Sequence, residues 1–182
     1  MQAIIISGMA VSGKTTIADI VAKKLGMTRL DGGDVLKEIA VKNGYKALGS
    51  GWWESEEGFR FLKARQEDFR FDKEADKIMV QRVKEGDVVV TSWTAPWLTM
   101  AGFRVWLDGT VEERADRLAG RDNINITEAL RLIGIRDLEN KSLYKRMYNI
   151  KLDSDKSPFN LVIEIDSLKP ERIAELILEK YK

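Results

Sequence analysis

Four residues at fixed spacing carry the clearest chemistry in this chain. Gly8, Gly13, Lys14 and Thr15 fit the pattern G-x-x-x-x-G-K-[ST] within the stretch SGMAVSGKTT at residues 7–16. Glycines at those places let the backbone adopt conformations closed to other residues, so that amide N–H groups turn inward as a nest for phosphate oxygens. The N-terminus of a following helix extends the nest with more unpaired N–H groups and a positive dipole end. Lys14 adds a mobile cation suited to β and γ phosphates, and the Thr15 hydroxyl is placed to ligand Mg²⁺. The spacing therefore predicts a nucleoside triphosphate site.

The context supports that reading. An apolar run at 3–6 reads as a strand, and Ile17, Ile20, Val21 and Leu25 recur at helical spacing before Gly26, predicting a helix over 14–25. A short second strand at 27–30 leads into the acidic turn Asp31-Gly32-Gly33-Asp34 and a resumed helix. Strand, helix and strand in so few residues predict a right-handed crossover, and ligands in such sheets lie at the carboxyl ends of the strands. Asp31 and Asp34 are thus expected to face the same crevice as the loop, with Asp34 alternatively a cap for the following helix.

Residues 43–58 read as irregular, and 55–85 as helical and highly charged, a pattern expected mainly of solvated helix faces. Strands are predicted at 87–92, 103–108 and 161–165, and a final amphipathic helix from Pro170. Thr110 and Glu113 form a capping box for a helix carrying Arg114, Arg117 and Arg121. These arginines either line a solvated face or reach the triphosphate. A break at 122–126 separates that helix from a long basic one at 127–149. Five strands alternating with helices predict an α/β fold of three layers, a five-stranded parallel sheet with helices on both faces. The two basic helices and their break make a hinged cover, a mobile lid at about 121–127.

Composition narrows the chemistry further. The 182 residues suit one domain, 1–182, with a helical acceptor-binding insertion at about 43–86. Thirty Lys and Arg against 29 Asp and Glu give a net charge of +1, which offers no field for bulk nucleic acid or an acidic membrane. The chain has no cysteine and no histidine, excluding thiol nucleophiles, thiolate metal sites and imidazole acid–base chemistry. Phosphoryl transfer tolerates that inventory, because positioning and charge neutralisation dominate it. No apolar run is long enough for a membrane span and no leader is evident, so a cytoplasmic location is expected.

Together the loop, the turn GGDVLKEIA, the segment VWLDGTVEERADRLAGRD and the stretch from IRDLENKSLYKRMYNI to LVIEIDSL resemble the nucleoside monophosphate kinase family of P-loop NTPases. Within it the chain is most similar to the archaeal-type cytidylate kinases. The resemblance implies transfer of the γ-phosphoryl of ATP to a pyrimidine nucleotide, CMP first, with Mg²⁺, small-molecule nucleotides as the partners, and a monomer or small homo-oligomer. It assigns ATP to Gly8, Ser12, Gly13, Lys14, Thr15 and Thr16, with Met9, Ala10 and Val11 in the same loop, and adds Arg117. Arg121 and Arg136 match lid arginines that neutralise the transferring group, and with Lys14 form the catalytic set. Acceptor contacts fall to Asp31, Gly33, Asp34, Lys37 and Trp93.

The acceptor side departs from the family pattern. Thr91-Ser92-Trp93 stands where relatives have an acid, Gly and Arg at the end of the third strand. Lys37 and Leu143 each stand where an arginine is expected. Two further readings follow: a P-loop kinase for another small acceptor with Asp31 as hydroxyl-orienting base, or a nucleotide-binding module with little transfer.

Overall fold

The computed structural model describes residues 1–46, 49 and 51–181. Five strands form one parallel sheet in the order β2-β3-β1-β4-β5, where β1 is Ile4–Gly8, β2 Thr28–Asp31, β3 Val88–Thr91, β4 Phe103–Asp108 and β5 Leu161–Glu164. Parallel strands covered on both sides should be apolar throughout rather than alternating, and β1 is buried at every position. Its side chains still alternate between faces. Ile4 and Ile6 pack with α1 (Lys14–Leu25) and α8 (Pro170–Tyr181), through Ile17, Val21, Ile173 and Ile177. Ile5 faces the other layer, where α2 (Gly32–Lys42), α3 (Glu56–Glu67) and α4 (Arg70–Glu85) contribute Ile39, Phe61, Met79 and Val83.

The chain leaves β1 past β3 to reach β2, and leaves β3 past β1 to reach β4. This change of direction opens a crevice at the carboxyl ends of β1 and β3, the place where such sheets take ligands. The phosphate-binding loop, the turn after β2 and the turn after β3 all end there. After β3 the chain makes one helical turn, α5 (Ala95–Leu98), with Ser92 Oγ accepting from the Thr94 and Ala95 N–H groups at 3.3 and 3.1 Å. α6 (Val111–Asp122) and α7 (Ile126–Tyr148) then pack on each other through Ala115, Leu118, Ala129 and Ile133.

The five strands, the helix after the loop and the Thr110 cap match the expectations, with Thr110 Oγ1 accepting from Glu113 N–H at 3.3 Å; the reciprocal half of the box is replaced by Asp166, which accepts from Thr110 N–H at 3.1 Å. Three local features differ. β2 lies one residue later than expected because it is an edge strand, partly exposed, with a weak apolar signal. The charged helix expected over 55–85 is two helices, divided where Asp68 takes an extended backbone (φ −126°, ψ 97°). Asp31, not Asp34, caps α2, its Oδ1 accepting from Gly33 N–H at 2.8 Å and Asp34 N–H at 3.3 Å. Of the expected irregular stretch and helical insertion, residues 47, 48 and 50 lie outside the described residues.

Candidate active site

The loop after β1 is shaped by close approach. A Cβ on Gly8 would lie 2.6 Å from Ser12 Oγ and 2.7 Å from the Leu107 carbonyl, and Gly13 sits at φ 82°, so both positions require glycine. Gly13 caps α1 without any side-chain hydrogen bond, leaving the first N–H groups of the helix to a ligand. Lys14 Nζ folds back over the loop, donating to the Gly8 carbonyl at 2.9 Å and the Met9 carbonyl at 2.7 Å. It also lies 5.2 Å from the Trp93 ring centre. Loss of water around this amine, with Arg136 and Arg114 nearby, lowers its pKa from 10.5 to about 7 against the opposing pull of Asp31.

One cavity of about 740 Å³ joins the loop to the turns after β2 and β3. Ala10, Val11, Ser12, Gly13, Lys14, Thr15 and Thr16 of the loop line it, with Arg117, Arg121 and Arg136 from the two later helices. Asp31, Gly33, Asp34, Lys37 and Trp93 line it too. Two candidates fall outside the wall. Gly8 serves by conformation and carbonyl, and the Met9 side chain is buried with Trp106, Leu143 and Tyr144, giving the site only its carbonyl.

The arginines are held in different ways. Arg117 covers the flank of the loop, donating to the Ile165 carbonyl at 3.1 Å and pairing with Glu113 at 3.2 Å. Arg121 Nη2 lies 3.2 Å from Glu54 Oε2, and Arg136 Nη1 pairs with Glu54 Oε1. Glu54, on a short 3-10 turn (Trp52–Glu54), thus gathers both arginines against the cavity. Burial leads the effects on Arg136 and lowers its pKa, and its Nε has no hydrogen-bond partner. Arg114 is fully buried rather than on a solvated face. It donates to the Ala10 carbonyl at 2.9 Å and to Asp137 at 2.8 Å, tying the loop to α7.

The reading of α3 and α4 charges as solvated fails at Arg65 and Asp72, each 1% exposed. Their fork is bidentate, at 2.8 and 2.5 Å, and the Tyr144 hydroxyl donates to Asp72 at 2.9 Å. Next to it Asp76 accepts from Thr94 and Tyr148, and burial raises its pKa to about 6. Arg65 and Tyr144 line the cavity with Trp53 and Asn140, whereas Arg60 and Arg70 are 67% and 89% exposed. Glu54 and Tyr144 are the site residues that sequence reasoning missed; Arg65, like Arg60 and Arg70 a candidate for the acceptor phosphate, and Arg114 were in view, but not their buried pairings with Asp72 and Asp137. The one available signal was an amphipathic period in α3 and α4 that places Arg65 and Asp72 on the apolar side with Phe61, Leu62 and Ala75.

Thr15 and Asp31 supply hard oxygen donors where a nucleotide's phosphates would meet the loop, a donor set that suits Mg²⁺.

A parallel sheet in this order, a glycine-Lys-Thr loop between β1 and α1, and arginines closing over it define a P-loop kinase. A shikimate kinase from Acinetobacter baumannii in complex with shikimate shares the fold, with a TM-score of 0.58 and 22% identity, covering 98% of this chain and 92% of that one. The chain belongs to the cytidylate kinase-like family, which matches residues 3–167, and it is a phosphotransferase. It is 33% identical over 177 residues to a cytidylate kinase of Sulfurisphaera tokodaii, covering 96% of this chain and 92% of that protein. A cytidylate kinase of Methanocaldococcus jannaschii is 30% identical over 179 residues, covering 96% and 94%. Among the described residues no helix is long and apolar enough to cross a membrane.

Proposed function

We propose that this protein is an ATP-dependent nucleoside monophosphate kinase that transfers the γ-phosphoryl group to a pyrimidine nucleotide, CMP first among them. One observation carries the reading: the loop and the turns after β2 and β3 line one cavity, together with Arg121 and Arg136. ATP lies with its β-phosphate in the loop amides, and Lys14 swings from the Gly8 and Met9 carbonyls to the β and γ oxygens. Mg²⁺, held by Thr15, supplies charge neutralisation for the triphosphate. An oxygen of the acceptor phosphate attacks the γ phosphorus, the bond to the β–γ bridging oxygen breaks, and ADP leaves. Arg121 and Arg136 neutralise the group in flight, an effect worth about 10³ to 10⁵ in rate for an arginine finger.

A phosphate acceptor asks less of the chain than an alcohol, whose proton would fall to a carboxylate such as Asp31. A phosphate monoester has its second pKa near 6, so at neutral pH its oxygen is already deprotonated and needs no general base. Trp53 and Asn140 then meet the base and sugar, and the acceptor phosphate falls to Lys37 and the end of β3 at Trp93.

A second reading, a P-loop kinase for a small acceptor without a phosphate, is favoured by Trp93, an apolar ring beside Lys14. ADP formation from Mg-ATP across CMP, UMP, AMP and neutral alcohols separates the two. CMP-dependent turnover supports the first, and turnover only with a neutral alcohol supports the second. Acceptor-independent nucleotide binding without turnover leaves neither, and points to a binding module.

A further inference from the structure

The turn after β2 holds a carboxylate whose contacts point toward the donor half of the cavity. Asp31 Oδ2 accepts from Thr15 Oγ1 and from Thr91 Oγ1, both at 2.7 Å. Its other oxygen caps α2 through Gly33 N–H at 2.8 Å. Both oxygens are therefore engaged, and the side chain is only 13% exposed. Asp31 and Thr91 are register partners across β2 and β3, so they occupy neighbouring places at the same edge of the sheet.

In P-loop enzymes the metal on the triphosphate takes the loop Ser or Thr hydroxyl together with an acidic residue elsewhere in the site. At the end of β3 this chain offers the neutral Thr91. We propose that the acidic member of the metal site has been transferred across the strand pair, so that Asp31 on β2 positions the Thr15 hydroxyl and supplies the negative charge for the magnesium ion of bound nucleotide. The inference rests on Mg-ATP being the donor. It assigns Asp31 to the metal rather than to the acceptor.

The physical reason lies in how a hydroxyl can act. With its proton given to Asp31, the Thr15 oxygen turns its lone pairs away from the carboxylate, free for a hard cation. A charge-assisted hydrogen bond of this kind also raises the basicity of a ligand, as carboxylates do for metal-bound imidazoles. Arg29 Nη1 stands 3.5 Å from Asp31 Oδ2, and the same arginine is shared with Asp19 at 2.6 Å and Asp34 at 3.8 Å. Asp31 thus sets a carboxylate, flanked by one arginine, against the Thr15 hydroxyl that the loop motif assigns to a cation.

The test measures metal rather than turnover. Mn²⁺ serves as the probe, its free concentration read by electron paramagnetic resonance with saturating ATP, for the whole protein and two variants. Asp31→Asn keeps a side-chain oxygen to cap α2 but removes the charge, and is expected to weaken Mn²⁺ retention in the ternary complex by about 10- to 100-fold. ATP binding in EDTA, followed by tryptophan fluorescence, should change less than about threefold, since the loop amides are untouched. The exchange Asp31→Thr with Thr91→Asp returns a carboxylate to the register partner, and should bring Mn²⁺ affinity back to within a few-fold of the starting protein. Equal Mn²⁺ affinity in the parent and Asp31→Asn overturns the assignment, as does an exchange variant no better than Asp31→Asn. A parent protein that binds ATP in EDTA but holds no Mn²⁺ overturns it too. A parent that binds no ATP at all overturns the kinase reading and this inference with it.

Discussion

The donor and acceptor halves of the cavity are built by different means. The donor half is nine consecutive residues, 8–16, whose function comes from backbone conformation and the start of one helix. The acceptor half is assembled from the turn after β2, the Trp52–Glu54 turn, α3, the turn after β3 and α7. Its polar groups are fixed by one another, as in the Arg65–Asp72–Tyr144 set, rather than by the local chain. A site made by backbone tolerates change around it while its glycines remain. A site made by long-range side-chain pairing changes specificity and stability together.

Breaking the donor half should remove chemistry and spare the fold. Lys14→Ala is expected to reduce transfer by about 10³-fold or more, with the thermal midpoint by circular dichroism within a few degrees of the parent. Undiminished turnover in this variant would refute the role of the loop.

Breaking the acceptor half should instead cost stability. Asp72→Asn strands the buried Arg65 guanidinium and is expected to destabilise the protein by about 3–5 kcal/mol in urea denaturation. A loss under about 1 kcal/mol would show that Arg65 finds another partner or reaches water.

Trp93→Arg sharpens the comparison on specificity. A guanidinium there can grip a phosphate in a charge-assisted fork, so the Michaelis constant for CMP should fall about tenfold while that for ATP stays unchanged. An unchanged constant for CMP would place the acceptor phosphate away from Trp93.

The smallest effect concerns protons. With its pKa lowered to about 7, Lys14 is largely neutral at pH 8, and the phosphates of Mg-ATP should restore its charge. Binding should then take up close to one proton at pH 8 and almost none at pH 6, measured by calorimetry in buffers of different ionisation enthalpy, with the uptake absent in Lys14→Met. The same shift acts on stability. Between pH 7 and the ordinary 10.5 the unfolded chain holds more protons at this lysine than the folded one, so this group's contribution rises with pH across that window.

The difference between the halves also decides what the sequence discloses. The loop, the strands and the Thr110 cap are local patterns, and they could be read from spacing alone. Arg65 and Asp72 were hidden because charged residues on a helix ordinarily face water, and what buries them includes Tyr144, 72 residues beyond Asp72. Glu54 was hidden for the same reason, since its partners Arg121 and Arg136 lie in α6 and α7. Arg114 resembled its neighbours Arg117 and Arg121 in sequence, yet the packing of α6 on α7 turns it inward to Ala10 and Asp137. The acidic turn at Asp31 was visible, but not that its Oδ2 accepts from Thr15 and Thr91.

The account stands most directly on the identity of the acceptor. Phosphorus NMR of a mixture of the protein, Mg-ATP and CMP follows donor and product together. ADP and CDP should appear in equal amounts, with neither formed by Lys14→Ala. ADP accumulating at the same rate without CMP, or CMP unchanged while a neutral alcohol is phosphorylated, would contradict it.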